Sequence, residues 1–542
     1  MQNLTLIPGA VQDMLTQVAL STGPWLTLLV IFPAIVALVI WLVPGARAIG
    51  RTLAFWSSIV MLAAFILMAI WFDWAASSVT QFTESYYWIP QLGLTWSLGV
   101  NALSLVMLLL TAVLVPLVLA AGKSEDRTAE SAGSYAALVM VLYGFIVMIF
   151  AAFDLLVFYI AFEAMLVPVF FMIGRFGAGE NRRRAALKFL IYSLFGGLVM
   201  LGGMVVIYSQ VGAADGLGFR FDTLAFVLPT MSPGWQLAIF LPIFIAFAIK
   251  APMVPVHTWL PDTAAAARPG TSVLLVGILD KIGTYGMITV LLFMLPGASE
   301  TVRPVIVVLA VVSILWGGFA ANGQKNLLRL VSFTSVSHFG FIVLGIFIGS
   351  SIALTGAMFF MVAHGLSIAG LFLLSGFLIE RGQTPSVMGY GGMQRVTPVL
   401  AGMWLFTGLA SIALPGLSGF VPEYLVLMGT YEVNIALAIF AVFGVILAAL
   451  YILMPYQRIF TGRINPEMAQ LPDLSDRQTW IVSPLLAGML ILGIWSAPLV
   501  GSLAQISQDS PLLNHSAEAA AAVDSASGIL DESAASSEGN AK

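Results

Sequence analysis

Residues 236–257 read QLAIFLPIFIAFAIKAPMVPVH. Most of the run is apolar, and its length matches the ~20 residues that a helix needs to cross the hydrocarbon of a bilayer. Its far end is different. Lys250 stands beside Pro252 and Pro255, and a proline inside a helix removes a backbone hydrogen bond and clashes with the preceding turn. A charge at the bilayer centre costs roughly 3 kcal/mol or more. A segment that holds a lysine and breaks its helix at the same depth therefore reads as a site. The lysine needs a wet, polar pocket, and the break frees backbone carbonyls that can orient water.

The rest of the chain has the same character. Of 542 residues, 60% are hydrophobic and 9% charged, with a mean hydropathy of +1.00, against about 25% charged in soluble domains. There is no cysteine, which excludes disulfides, thiolate chemistry, cysteine-ligated iron–sulfur clusters and CxxC zinc sites. The four histidines are too scattered to suggest a haem or metal site. About fourteen apolar stretches, from 24–43 to 480–500, are long enough to span. Lipid forces each to be helical, because a lone spanning segment must satisfy its own backbone. The predicted fold is an all-α polytopic membrane protein of about 14 transmembrane helices.

The first 23 residues carry no Lys or Arg, so no cleavable signal is expected. Residues 502–542 are rich in Ala, Ser, Asp and Glu and lack aromatics, the composition of a disordered, solvated acidic tail. Basic residues set the expected orientation. If the loop with Arg47 and Arg51 is inside, 17 of the 22 Lys and Arg share that side; Arg220, Arg303 and Lys542 lie opposite, and Lys250 and Lys281 lie within the membrane. Both termini then face outward.

The seventh span holds IKAPMVPVHTWLP and the twelfth holds IALPGLSGFVPEYL. Each is interrupted by two prolines and carries an ionisable residue near the break. Five spans separate them, and an odd offset reverses orientation. Discontinuous helices 7 and 12 in two inverted five-helix repeats are the pattern of a transport site near the midplane. The expected organisation is residues 1–133 for helices 1–3, 134–297 for the first repeat, 298–462 for the second, 463–501 for an inner loop and helix 14, and 502–542 for the tail.

Six ionisable residues fall inside spans: Glu163 in VFYIAFEAMLVPVF, Lys250, Lys281 in VGILDKIGTYG, His338 in SFTSVSHFGF, His364 in MVAHGLSIAG, and Glu423. Each has a plainer reading. Glu163 and Lys250 fit a static buried ion pair. His338, behind Thr334 and Ser335, and His364, beside Gly365, fit satisfied core histidines. His257, past both prolines, fits an interfacial residue. Asp280 adjoins Lys281, but neighbours on a helix diverge by about 100°, so it lies nearer the inner surface or is paired elsewhere. Together the six form a candidate proton wire. A lysine in a low-dielectric site holds its proton less tightly, and a nearby carboxylate reverses that; histidine relays in the same range.

The stretch VPVHTWLPDTAAAARPGTSVLLVGILDKIGTYG, residues 254–286, resembles the signature of the antiporter-like membrane subunits of respiratory complex I: a WLPD segment, a small-residue turn, then S-V-x-L-x-G-x-L-x-K. Those subunits are similar to the multisubunit cation/proton antiporters. The resemblance runs from about the third span to the thirteenth. It implies a glutamate–lysine pair at Glu163 and Lys250, a central Lys281, connecting His338 and His364, and an exit residue at Glu423. Most relatives carry lysine at that last position. The glutamate, with the KIGTYG ending, points to the M-type branch, the counterpart of mitochondrial subunit 4. The chain departs from the pattern after WLPD, where Thr263, Ala264, Ala266, Ala267 and Arg268 replace the usual Ala-His and Glu-Ala-Pro, and at Asp280, where the family is apolar.

The resemblance implies a proton-translocating subunit of a bacterial NADH:quinone oxidoreductase, driven by redox chemistry elsewhere in the complex. It implies no redox centre or cofactor on this chain, with NADH, flavin, iron–sulfur clusters and quinone on other subunits. The expected partners are neighbouring antiporter-like subunits, the lipid bilayer, protons and water, with no nucleic acid. The expected location is the bacterial inner membrane. A subunit of a multisubunit Na⁺/H⁺ antiporter is the alternative, and a membrane scaffold with inert buried pairs is the third reading.

Overall fold

The computed structural model describes residues 23–122, 128–178, 181–212 and 218–509. Residues 1–22, where no cleavable signal is expected, and residues 510–542 of the expected tail lie outside the described residues. Thirteen described helices are long and apolar enough to cross a membrane. In chain order they are Trp25–Leu42, Ala46–Trp71, Ala102–Ala121, Ala129–Ala151, Leu155–Gly174, Arg182–Val211, Pro233–Lys250, Pro269–Leu292, Pro296–Asn322, Leu327–Phe347, Ser351–Gly382, Ile435–Phe460 and Asp476–Ile494. The expected twelfth span comes between the last three and is present as two pieces, Pro398–Ser411 and Phe420–Val433. Each piece is too short to cross alone. Counting it, Ile435–Phe460 is the thirteenth span and Asp476–Ile494 the fourteenth.

Position in the bundle follows from what each span can bury. The tenth and eleventh are enclosed along their whole apolar windows, and the eighth is 94% buried. The first, second, sixth and thirteenth instead expose Leu42, Trp71, Ile191 and Phe443 at the perimeter. An outward apolar face suits lipid or another membrane subunit. The central helices therefore carry Lys281, His338 and His364, while Glu163 sits on a span nearer the edge.

Two features were not in the sequence reading. Gln81–Ile89 and Leu94–Val100 form an antiparallel hairpin between the second and third spans. Its Glu84 is buried and accepts from the backbone N–H of Leu26 (2.5 Å) and from Thr27 Oγ1 (2.6 Å). That satisfies donors left open at the start of the first helix. Trp96 Nε1 donates to Thr27 Oγ1 at 2.7 Å, so the hairpin clamps this helix end. Second, Ala497–Gln508 is helical, which corrects the start of the expected tail at 502. Leu503 and Ile506 are buried, and the Ser507 hydroxyl lies 2.6 Å from that of Thr355 on the eleventh span. Docking onto that span, rather than local composition, orders this stretch.

Four spans are irregular, and each irregularity has a backbone cause. The fifth is interrupted at Met165, between Leu155–Ala164 and Leu166–Gly174, where Pro168 cannot bond the carbonyl of Ala164. The seventh stops at Lys250 and resumes as Trp259–Ala266. Its freed groups are satisfied by the Ser313 hydroxyl, which accepts from Val254 N–H at 3.0 Å, and by Trp259 Nε1, which donates to the Ile249 carbonyl at 2.9 Å. The eighth is α-helical over Asp280–Gly286 and π-helical on both sides, at Leu275–Leu279 and Met287–Leu292. The twelfth breaks between Ser411 and Phe420, through left-handed backbone at Ala413 and Gly416.

Candidate functional site

Every irregular span carries one of the ionisable residues beside its irregularity. On the fifth, Glu163 is half-buried and leans on the sixth span at Gly197. A Cβ at Gly197 would stand 1.7 Å from Glu163 Oε1, so only glycine leaves room for the carboxylate. Lys250 is the last residue of its half-helix, and a cation is favoured at that negative dipole end. Its Nζ lies 3.5 Å from Ser193 Oγ and over the rings of Phe162 and Phe189, 5.2 and 5.3 Å from their centroids.

The expected Glu163–Lys250 contact is not made. Their charges act on each other, but among the described residues no ion pair joins them. The carboxylate occupies the Gly197 notch, and the ammonium is held by two rings and a hydroxyl instead.

The centre is a connected row. Lys281 Nζ donates to the carbonyl of Val276 in the π-helical turn at 3.0 Å and lies 3.1 Å from His364 Nδ1. His364 Nε2 lies 3.3 Å from Ser335 Oγ, and its ring centroid is 5.1 Å from that of His338. His338 Nε2 lies 3.1 Å from the Tyr451 hydroxyl. Tyr451 is fully buried on the thirteenth span and close enough to Glu423 to feel its charge. Glu423 is buried in the first turn of Phe420–Val433, where a helix N-terminus favours an anion. Its Oε1 has no hydrogen-bond partner among the described residues. The structure thus brings together Lys281, His364, His338 and Glu423, with Tyr451 as a link that the sequence reading missed. A lone tyrosine in an apolar span gives no sequence signal; only its place opposite His338 does.

His257 is buried, with its ring 6.1 Å from that of Phe333. Asp280 is fully buried. At the basic end, a cleft of about 700 Å³ is lined by Arg184, Lys188, Asp262, Asn326 and Arg329. Lys188 donates to Asp262 at 2.7 Å, and Arg329 pairs with its other oxygen. Burial pushes the Asp262 carboxyl up, but the hydrogen bonds and charges of Lys188 and Arg329 outweigh it and hold it below its usual range. Arg268 is buried over Tyr135 and Phe176 and donates to the Phe176 carbonyl at 2.8 Å. It closes the small-residue turn where the family pattern departs. Among the described residues no three His, Asp or Glu side chains gather as metal ligands.

The profile of the family described as NADH:quinone oxidoreductase/Mrp antiporter, TM, matches residues 152–448. The chain belongs to this family. That segment contains all six candidate residues, and Tyr451 lies three residues beyond its end. Within the NADH:quinone oxidoreductase/Mrp antiporter family, NADH-quinone oxidoreductase subunit M of Mycobacterium tuberculosis H37Rv is 38% identical over 513 residues, covering 89% of this chain and 93% of that protein. Subunit M of Rhodobacter capsulatus is 36% identical over 460 residues, covering 83% and 88%. A chain of respiratory complex I from Thermus thermophilus with bound NADH superposes with a TM-score of 0.79 at 28% identity, covering 90% of this chain and 99% of that one. A chain of the Mrp complex from Dietzia sp. DQ12-45-1b gives 0.78 at 22% identity, covering 89% and 98%, a likeness of fold alone.

Proposed function

We propose that this chain moves protons across the bacterial inner membrane as the M-type subunit of an NADH:quinone oxidoreductase. The row from Lys281 through His364, His338 and Tyr451 toward Glu423 is the observation that carries the reading. Each member can hold or pass a proton; Lys281–His364 and His338–Tyr451 are at hydrogen-bond length, and the two histidine rings pack against each other. The redox cofactors belong to other subunits, and the chain contributes no redox centre. Its exposed apolar perimeter and half-buried Glu163 suit neighbouring membrane subunits. Helices 4–8 and 9–13 read as two inverted repeats, and the basic end with the Asp262 cleft reads as the cytoplasmic side, with both termini outside.

The Na⁺/H⁺ antiporter reading is less well supported. Hard cations take oxygen ligands, and the centre of this row is nitrogen-rich. The test is purification of the tagged chain from native membranes. NADH:quinone oxidoreduction in the purified assembly, with NADH-driven proton movement in sealed vesicles, supports the proposal. Sodium-dependent proton exchange without NADH oxidation contradicts it.

A further inference from the structure

Lys250 and Lys281 are the two buried ammonium groups of the first half of the path. Among the described residues they share no hydrogen-bond partner. Lys250 faces Ser193 and two phenylalanine rings, whereas Lys281 faces Val276 and His364. Asp280 adjoins Lys281 on a turn that packs against the helix ending at Lys250. The α-helical turn Asp280–Gly286 packs on Pro233–Lys250. The approach is closest at Gly283, where a Cβ would stand 2.6 Å from the Phe247 carbonyl oxygen and 2.7 Å from Ala251 N. Asp280 precedes Gly283 by three residues, so it lies on the same face, one turn away. That places it beside the break that begins after Lys250. Lys281 is turned about 100° further round, toward the eleventh span.

Asp280 is 0% exposed, and neither carboxylate oxygen has a hydrogen-bond partner among the described residues. Both lysine charges act on it. A carboxylate without hydrogen bonds is expensive to bury, and an apolar side chain would fill the position without that cost. Two buried ammonium groups disfavour each other's charged state, and a carboxylate between them relieves this.

We propose that Asp280 is a proton-holding residue that joins Lys250 to Lys281, resting on the proton-translocation reading above. The Lys250 ammonium gives its proton to the Asp280 carboxylate, leaving a neutral amine and a carboxylic acid. The acid then gives that proton to the neutral Lys281 amine, restoring the carboxylate. Charge moves by one proton per step, and no other reactant is required.

The test measures proton release per NADH oxidised in sealed vesicles holding the intact complex, beside the amount of assembled complex. Asp280→Asn keeps the shape, Asp280→Leu keeps an apolar filling of similar size, and Asp280→Glu keeps the acid. Lys281→Met sets the scale. The expected result is that Asn and Leu assemble normally and reproduce most of the fall in protons released per NADH given by Lys281→Met, while Glu retains part of the release. Full pumping by Asn or Leu, with Lys281→Met inactive, overturns the role of Asp280 alone. Equal loss in all three variants makes the position a packing one and overturns it too. Full pumping by Lys281→Met removes the underlying proton path and this inference with it.

Discussion

The two broken spans place opposite charges on opposite helix ends. The seventh stops at Lys250, so its cation sits at the C-terminus of a half-helix. The twelfth restarts at Phe420, so Glu423 sits in the first turn of one. Each charge occupies the end whose dipole favours it. Their surroundings differ as well. Lys250 is held by two rings and Ser193, and the broken backbone beside it is capped by Ser313 and Trp259. Glu423 has an unpartnered oxygen, and Ser411 and Ser418 near its break have unpartnered hydroxyls among the described residues. At the first break the backbone is capped and only His257 Nδ1 is left unpartnered among the described residues of the break; the second leaves a carboxylate oxygen and two hydroxyls open. This suits a held internal proton at the one and exchange with water at the other.

The largest effect expected from this contrast is at Lys250. Lys250→Met removes the ammonium that ends the first half-helix and should abolish the proton pumping carried by this subunit with the complex assembled. Glu163→Gln combined with Lys250→Met should assemble and still fail to pump, because the two side chains are not in contact and their joint loss restores nothing. A broken buried pair typically costs about 3–5 kcal/mol. Better assembly of the double variant than of either single one, together with restored pumping, would mean that the pair is packing.

Next comes Glu423. Glu423→Gln keeps the shape and removes the titrating proton, so pumping should fall strongly with normal assembly. Glu423→Lys should retain part of it. A cation in the first turn opposes the helix dipole by about 0.3–1 kcal/mol, which is small beside the cost of having no ionisable group there. Full pumping by the Gln variant removes Glu423 from the path and dissolves the contrast.

A smaller effect belongs to Gly197. In Gly197→Ala, the added methyl collides with the Glu163 carboxylate and must push it away. Pumping should slow severalfold at near-normal complex levels, and unaltered pumping would show that the carboxylate's position is not critical. The smallest effect is at the cleft. Because Asp262 is held below its usual carboxylate range, its pairing with Lys188 and Arg329 stabilises the fold at neutral pH. That stabilisation is lost as pH falls through the depressed value. Both partners are about a third exposed, so solvent screening limits the pair to less than about 1 kcal/mol. Asp262→Asn should therefore lower thermal stability slightly at neutral pH, with the difference from the unmodified protein shrinking below about pH 4 and vanishing below the depressed value. An equal difference at both pH values contradicts this.

Much of this architecture was legible because lipid permits few answers. Apolar length located the spans, and paired prolines located both breaks. The depth of each ionisable residue named the candidates. What escaped depends on neighbours distant in sequence. The hairpin of Gln81–Val100 is short and its ends are fixed by the first helix, so local alternation alone did not reveal it. Tyr451 became a link only when the thirteenth span was laid against the tenth. The Glu163–Lys250 contact was inferred from residue types, but Gly197 on a third helix diverts the carboxylate. Asp280 shows how one step along a helix changes partner: its face meets the seventh span, while Lys281 meets the eleventh.

Proton passage along the buried row depends most on Lys281, the residue joined to both the π-helical turn and His364. The measurement is proton release per NADH oxidised by the purified complex in sealed vesicles, with Lys281→Met beside the unmodified protein. The expected variant complex assembles in normal amount and has lost the proton release carried by this subunit. Lys281→Met complexes that release as many protons per NADH as the unmodified protein would contradict it.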